Sequence, residues 1–131
     1  MEIRRIASLK SAEDFQETLQ RAGVDLSFDP TISNGPDAPL ARPFHGPSGV
    51  VGNRFAILPM EGWDGTSDGK PTDLTRRRWS RFGLSGAKLI WGGEAVAVRP
   101  DGRANPNQLI MSNANLSDID SLRTLLINTH R

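Results

Sequence analysis

The feature that most constrains this chain is an alternation of short apolar runs with helix-patterned segments in its second half. Residues 55–58 form an apolar run stopped by Pro59, and residues 87–91 form a second, mostly apolar run. Short runs of this kind are typical of strands that are buried on both faces. A loop and a helix-patterned segment follow each run, so the order predicts an α/β fold in which crossover helices join parallel strands.

The two helix-patterned segments have recognisable starts. Thr72 or Asp73 is predicted to cap the first, and Gly83 to end it. Ser117 is predicted to cap the second, which reaches Arg131 without a stop signal. Its apolar stripe is predicted to consist of Ile119, Leu122 and Leu126, and whether Leu125 belongs to it is left open by the pattern. Two such units cannot cover both faces of a parallel sheet, so we expect either a fragment of a larger fold or a small domain completed by another chain.

Residues 1–49 do not continue the alternation of strands and helices that is predicted for residues 50–131. Ser11 is predicted to begin a helix in which Phe15, Leu19 and Ala22 share one face, and Gly23 to end it. Prolines and glycines then interrupt every regular period up to residue 49. We therefore expect an irregular lead segment with a hairpin that turns at residues 46–49.

Composition excludes several classes of protein. There is no cysteine, so disulfides, thiolate metal sites and a cysteine nucleophile are excluded, and a reducing cytoplasm fits. No signal-like or membrane-spanning apolar stretch is present in the sequence. Sixteen basic and fifteen acidic residues balance, so we expect neither nucleic acid nor a membrane as partner. The two histidines have no metal-ligand spacing, so no metal site is expected.

Three motifs in order carry a resemblance to a known family. Residues 53–60 read Asn-Arg-Phe-Ala-Ile-Leu-Pro-Met, and residues 86–90 lead to Glu94, Ala95 and Val96. A Pro-Asp-Gly-Arg loop follows at residues 100–103, and the last helix ends in Thr129 and His130. From about residue 40 onward the chain resembles the N-terminal part of old yellow enzyme family flavoproteins. The resemblance implies the first two βα units of a (β/α)8 TIM barrel, a fold of roughly 250 residues.

The resemblance also implies where a flavin would lie. Active sites of such barrels lie at the carboxyl ends of the strands. Pro59, Met60 and Ala95 are the implied FMN contacts, and Glu94 and Glu61 are the further candidates. Glu61 stands where many relatives carry threonine or cysteine, and a carboxylate there would disfavour an anionic reduced flavin. Trp63 is the candidate for the substrate side of the cavity.

The implied activity is an NAD(P)H-dependent, FMN-mediated reduction of an activated alkene or similar small-molecule acceptor. In relatives, a His/His or His/Asn pair, a tyrosine and the groups that grip the flavin come from later strands. This chain has no tyrosine, and His45 and His130 lie on the lead segment and at a helix end. We therefore expect no catalytic residue in this chain, and we expect it to need the remaining C-terminal part of the barrel for activity.

Simpler interpretations stand beside these. Glu94 is equally well explained as a structural carboxylate paired with Arg103, and Pro59 as a residue that ends a strand. An alternative function is a non-catalytic half-barrel module that works only as a homo-oligomer. The arginines at 76–78 and 81 are best explained as a solvated helix face, and a nucleic-acid-binding helix is the minor alternative.

Overall fold

The computed structural model describes residues 5–130, and the chain divides into two compact units, Met1–Asn34 and Gly35–Arg131. The described residues form a small mixed α/β structure with three α-helices and two small sheets. The barrel that the resemblance implies goes beyond this architecture and stays a prediction.

The first unit is built on helix α1, Ala12–Ala22, which follows a short 3-10 helix at Ile6–Ser8. The Ser11 side chain accepts a hydrogen bond from the Asp14 backbone N–H at 3.1 Å, and Gly23 caps the other end, as predicted. The Phe28 ring then packs edge-on against Phe15, with centroids 4.9 Å apart. These contacts hold the chain that follows α1 against the helix.

The second unit begins with a hairpin. Strands β1, Phe44–Gly46, and β2, Gly49–Val51, pair antiparallel, with Gly46 opposite Gly49. The turn therefore lies where the proline and glycine spacing predicts it.

Two short strands form the second sheet. Strands β3, Ala56–Ile57, and β4, Leu89–Ile90, pair in parallel, and the Trp91 N–H extends the ladder by donating to the Ile57 carbonyl at 2.9 Å. The predicted parallel pairing is confirmed. The predicted burial is wrong, because Leu58 is 69% exposed and Phe55 and Leu89 are exposed as well. Among the described residues the sheet has two strands, too few to bury these side chains.

Helix α2, Asp73–Leu84, connects β3 to β4. Thr72 and Thr75 form a reciprocal capping box at its start, which confirms Thr72 as the cap. The prediction that Gly83 ends the helix is wrong, because the helix continues to Leu84. Gly83 lies instead where α2 meets the last helix: a Cβ there would sit 2.2 Å from Thr129 Oγ1 and 2.8 Å from the Leu126 carbonyl oxygen. The glycine permits close helix–helix contact.

Helix α3, Leu116–Thr129, packs against α2. Its N-cap is Asn115, two residues before the predicted Ser117, and His130 is its C-cap, while Arg131 lies outside the described residues. The core between the two helices comprises Trp79, Leu109 and Leu122, with Phe82, Val96, Ile119 and Leu126 packed around it. Ile119, Leu122 and Leu126 of the predicted stripe therefore face the core, Leu125 is not among its residues, and Leu109 from outside the helix joins it.

Candidate functional site

The carboxyl ends of β3 and β4 lie side by side and bring two of the predicted flavin contacts together. The chain beyond β3 passes through Pro59 to Met60, and the chain beyond β4 turns at Gly92 and Gly93 to reach Ala95. The Ala95 N–H donates a hydrogen bond to the Met60 carbonyl at 3.2 Å. Met60 and Ala95 thus join the two strand ends at the edge where barrel enzymes carry their sites.

This edge is open and largely apolar. The Met60 residue is 73% exposed, and Trp63 and Glu61 are exposed too. Pro59 and Ala95 are half-buried. The Ala95 carbonyl accepts a hydrogen bond from the Gln108 amide at 2.8 Å, so both backbone polar groups of Ala95 are already paired. What Ala95 offers a ligand is therefore a small side chain on a fixed backbone.

Glu94 belongs to the interior of the protein. Its side chain is 1% exposed. One carboxylate oxygen accepts the Gly62 backbone N–H at 2.9 Å, and the other accepts the Arg78 guanidinium at 2.6 Å and the Trp79 indole N–H at 3.0 Å. Three donors satisfy this buried charge, which would otherwise be costly. The structural interpretation of Glu94 fits these contacts, but its expected partner was wrong, because Arg103 donates to the Ser67 and Pro106 carbonyls instead.

Arg78 links Glu94 to a second carboxylate, that of Asp64. Burial by itself would lower the pKa of the Arg78 guanidinium, but its hydrogen bonds to Glu94 and Asp64 outweigh burial and raise that pKa above its ordinary value. The Asp64 carbonyl also accepts the hydroxyl protons of Thr72 and Thr75. This network, which we call the Glu94 cluster (Glu94, Arg78, Asp64, Trp79 and Gly62), ties the loop after β3 to α2 and to the turn after β4.

Gly62 shows how closely the cluster is packed. A Cβ at this position would lie 2.1 Å from Glu94 Oε1 and 2.4 Å from an Arg78 guanidinium nitrogen. The glycine is thus needed for close approach of the backbone to the buried carboxylate.

Amide side chains near residue 105 complete the edge, and sequence reasoning missed them. Asn105 donates to the Gly62 carbonyl at 2.9 Å, and Gln108 donates to the Ala95 carbonyl. Asn115 donates to the Asp68 carbonyl at 3.0 Å. All three are buried. The only sequence signal for them is the density of amides between residues 105 and 115.

The residues at this edge fit a flavin in part. Met60 and Ala95 lie next to each other, Met60 with an exposed apolar side chain and Ala95 with a small one, whereas Pro59 and Trp63 are placed near them by the sequence alone. Glu94 does not fit that role, because its oxygens are taken by protein donors and shielded from solvent. Within residues 5–130, no group of three or more histidine, aspartate or glutamate side chains could hold a metal ion.

Of the four arginines on α2, two bind groups of the protein and two are exposed. Arg76 donates to the Ser121 hydroxyl at 2.9 Å and lies 3.9 Å from the Asp118 carboxylate, and Arg78 belongs to the Glu94 cluster. Arg77 and Arg81 are exposed. A continuous basic face is therefore not present, because two of the four arginines bind groups of the protein itself.

Comparison with known proteins adds no family to this geometry. The sequence matches no protein-family model, and it matches no curated protein. None of the described helices has the length and apolar character needed to cross a membrane.

Proposed function

We propose that this chain supplies the first two strand–helix units of an FMN-binding TIM barrel of the old yellow enzyme type. The observation that carries the proposal is the hydrogen bond between Ala95 and Met60. It sets the residues singled out by the family resemblance next to each other, at the carboxyl ends of two parallel strands. The crossover through α2 gives those strands the βαβ connection on which barrels are built.

In this proposal Pro59, Met60 and Ala95 line the flavin ring, and Trp63 lies on the substrate side. FMN would supply hydride transfer between NAD(P)H and an electron-poor alkene or a similar acceptor. The role of this chain is to position the ring: the Glu94 cluster fixes the loop after β3, and Gln108 fixes the Ala95 backbone. Substrate-polarising and flavin-gripping groups would come from further strands, so we expect no NAD(P)H oxidation by residues 1–131 alone, even with FMN added.

The test is FMN binding, followed by quenching of flavin fluorescence. The first sample is this chain, and the second is a chimaera in which the chain precedes strands three to eight of an old yellow enzyme family barrel. We expect quenching with the chimaera only. Ala95→Leu should abolish it by filling the space next to the ring, whereas Ala114→Leu, at an exposed position, should not. A folded chimaera that leaves FMN fluorescence unchanged would contradict the proposal.

A non-catalytic assembly module is the second candidate function. Exposed apolar residues on and around the β3–β4 sheet favour it: Leu58, Met60, Trp91 and Val98. Exposed apolar patches commonly mark protein–protein contacts. This candidate is favoured over the first if the chain forms a stable oligomer and the chimaera does not bind FMN.

A further inference from the structure

Asn34 and Gly35 form an asparagine–glycine pair in the chain between α1 and the hairpin. Asn34 is exposed, and among residues 5–130 its side chain makes no hydrogen bond. The Gly35 N–H likewise donates to no group of the described chain. Gly35 has a φ of 89°, and a Cβ built there would meet nothing within 4 Å. Neither the Asn34 side chain nor the backbone nitrogen that follows it is therefore held by a neighbour.

This pair places a nucleophile next to an electrophile. Attack of the Gly35 backbone nitrogen on the Asn34 side-chain carbon Cγ closes a five-membered imide ring. A side chain on the second residue of such a pair crowds the attacking nitrogen, and glycine has no side chain. The ring therefore closes most readily where an unrestrained asparagine precedes an unrestrained glycine.

Three of the other asparagines are restrained or cannot react in this way. The Asn53 amide donates to the Gly86 carbonyl at 2.8 Å, and Asn115 is buried and makes several hydrogen bonds. Asn105 precedes Pro106, whose ring nitrogen carries no hydrogen to lose. In these three the protein itself opposes ring closure.

Asn113 is the closest comparison for Asn34 within the chain. It is exposed as well, and its side chain makes no hydrogen bond within the described residues. However, Ala114 follows it, and the alanine Cβ crowds the backbone nitrogen. Asn107 and Asn128 are also followed by residues with side chains. Exposure alone therefore does not distinguish Asn34, whereas exposure together with a following glycine does.

Aspartates that precede glycine can close the same ring, and the chain has three such pairs, at residues 64–65, 68–69 and 101–102. In all three pairs the glycine N–H already donates to a backbone carbonyl, at 3.0 or 3.1 Å. These hydrogen bonds hold the glycine nitrogen away from the attack. Gly35 has no such bond among the described residues, so the structure favours reaction at Asn34.

We propose that Asn34 is a site of spontaneous deamidation. The Gly35 nitrogen loses its proton and bonds to Asn34 Cγ, and the bond from Cγ to the side-chain nitrogen breaks, so ammonia leaves. Water then opens the imide at either carbonyl, which gives aspartate or isoaspartate at residue 34. One water is taken up and one ammonia is released, and nothing is oxidised or reduced. The inference goes beyond the proposed function and does not depend on flavin.

The product differs from the original chain in charge and in backbone length. A carboxylate replaces a neutral amide, so the formal net charge of +1 falls by one to zero. Isoaspartate also adds one carbon to the main chain. Asn34 is the last residue of the first compact unit and Gly35 the first residue of the second. The change therefore falls at the junction of the units, and we expect their secondary structure to be preserved.

Mass spectrometry of the 131-residue protein during incubation at pH 8 tests the proposal. We expect a gain of about 1 Da, which peptide mapping locates at residue 34, with isoaspartate among the products. The reaction should be slower at pH 6, because fewer backbone nitrogens are deprotonated. Gly35→Ala should slow it at least about fivefold, because the added Cβ crowds the nitrogen. Circular dichroism verifies that this variant is folded.

Two comparisons make the test decisive. Asn113 is the control within the same molecule, and it should react at least about fivefold more slowly than Asn34 because alanine follows it. The second comparison is with the urea-unfolded chain, in which residue 34 should react at a similar rate. A native protein unmodified at residue 34, while the unfolded chain reacts there, would overturn the proposal, since the fold would then protect the site. Equal rates at Asn34 and Asn113 would overturn it as well.

Discussion

Two sides of the second unit differ in how they treat apolar and charged groups. Between α2 and α3, Trp79, Leu109 and Leu122 are buried, and the buried carboxylate of Glu94 has three donors. On the β3–β4 sheet, Leu58, Met60 and Trp91 face water. The helical side has the properties of a finished protein core, whereas the sheet side has those of a contact surface. The difference indicates that folding of this unit depends on its helices and that the sheet is available for binding.

The largest expected effect tests whether the helical side carries the stability. Leu122 is fully buried, so Leu122→Ala removes packed methyl groups and leaves a cavity, at a cost of about 2 to 5 kcal/mol in the free energy of unfolding. Urea unfolding measures it. Leu116→Ala, at an exposed position on the same helix, is the control and should cost less than about 1 kcal/mol. Equal losses in the two variants would show that the helical side is not the core.

The next effect concerns the buried carboxylate. Glu94→Gln leaves one acceptor oxygen in place of two. Either the Gly62 N–H loses its acceptor, or Arg78 and Trp79, which share the other oxygen, both lose theirs. Breaking a fully buried pair costs about 3 to 5 kcal/mol, but nearly a third of the Arg78 side chain is exposed to water, so we expect about 2 kcal/mol. Glu61→Gln, at an exposed carboxylate, should change the free energy of unfolding by less than about 0.5 kcal/mol. A Glu94→Gln protein as stable as the wild type would mean that the cluster does not hold the loop.

A smaller effect concerns the contact between α2 and α3. Alanine favours helix over glycine by about 1 kcal/mol, so Gly83→Ala would stabilise an isolated helix. Here the added Cβ meets Thr129 and the Leu126 carbonyl, and we expect a net loss of about 1 to 2 kcal/mol. Gly102→Ala is the matched control, because nothing lies within 4 Å of its Cβ. Thermal unfolding of both variants is the measurement. If Gly83→Ala raises the melting temperature, α2 and α3 must lie further apart than the structure shows.

The smallest effect is expected on the sheet. Leu58→Ser should change the free energy of unfolding of the dilute protein by no more than about 0.5 kcal/mol, because the side chain is already in water. The measurement is urea unfolding of the dilute protein. A decrease of more than about 1.5 kcal/mol in the free energy of unfolding would show that Leu58 is buried in solution. The sheet side would then resemble the helical side.

Local signals in the sequence were sufficient for much of the secondary structure. The Ser11 cap, the hairpin turn and the Thr72 cap depend on residues within four positions of one another, and the structure confirms all three. Burial of the strands was not predictable in the same way. An apolar run shows that a strand can be buried, but the neighbours that would bury it are set by the whole fold. Gly83 illustrates the same limit, because its role depends on a helix more than thirty residues away.

The candidate site was also predictable from the sequence only in part. Pro59, Met60 and Ala95 were selected from motifs along the chain, and the structure places Met60 and Ala95 in contact. The partners of Glu94 were not accessible from the sequence, since Gly62, Arg78 and Trp79 come from two other segments. Any of several arginines could have paired with it, and Arg103 was the wrong choice. The FMN site and the barrel remain proposals for the experiments described above.

The sequence by itself determined the starts of α1 and α2, the hairpin and the order of strands and helices, because caps, turns and periodicity act over a few residues. The start of α3 was predicted two residues late. Only the tertiary structure decided that Glu94 is an internal carboxylate, that Gly83 is a packing contact and that Phe55, Leu58 and Leu89 are exposed. The physical reason is that burial, charge pairing and edge exposure depend on residues distant in sequence. Their positions follow from how the elements pack together.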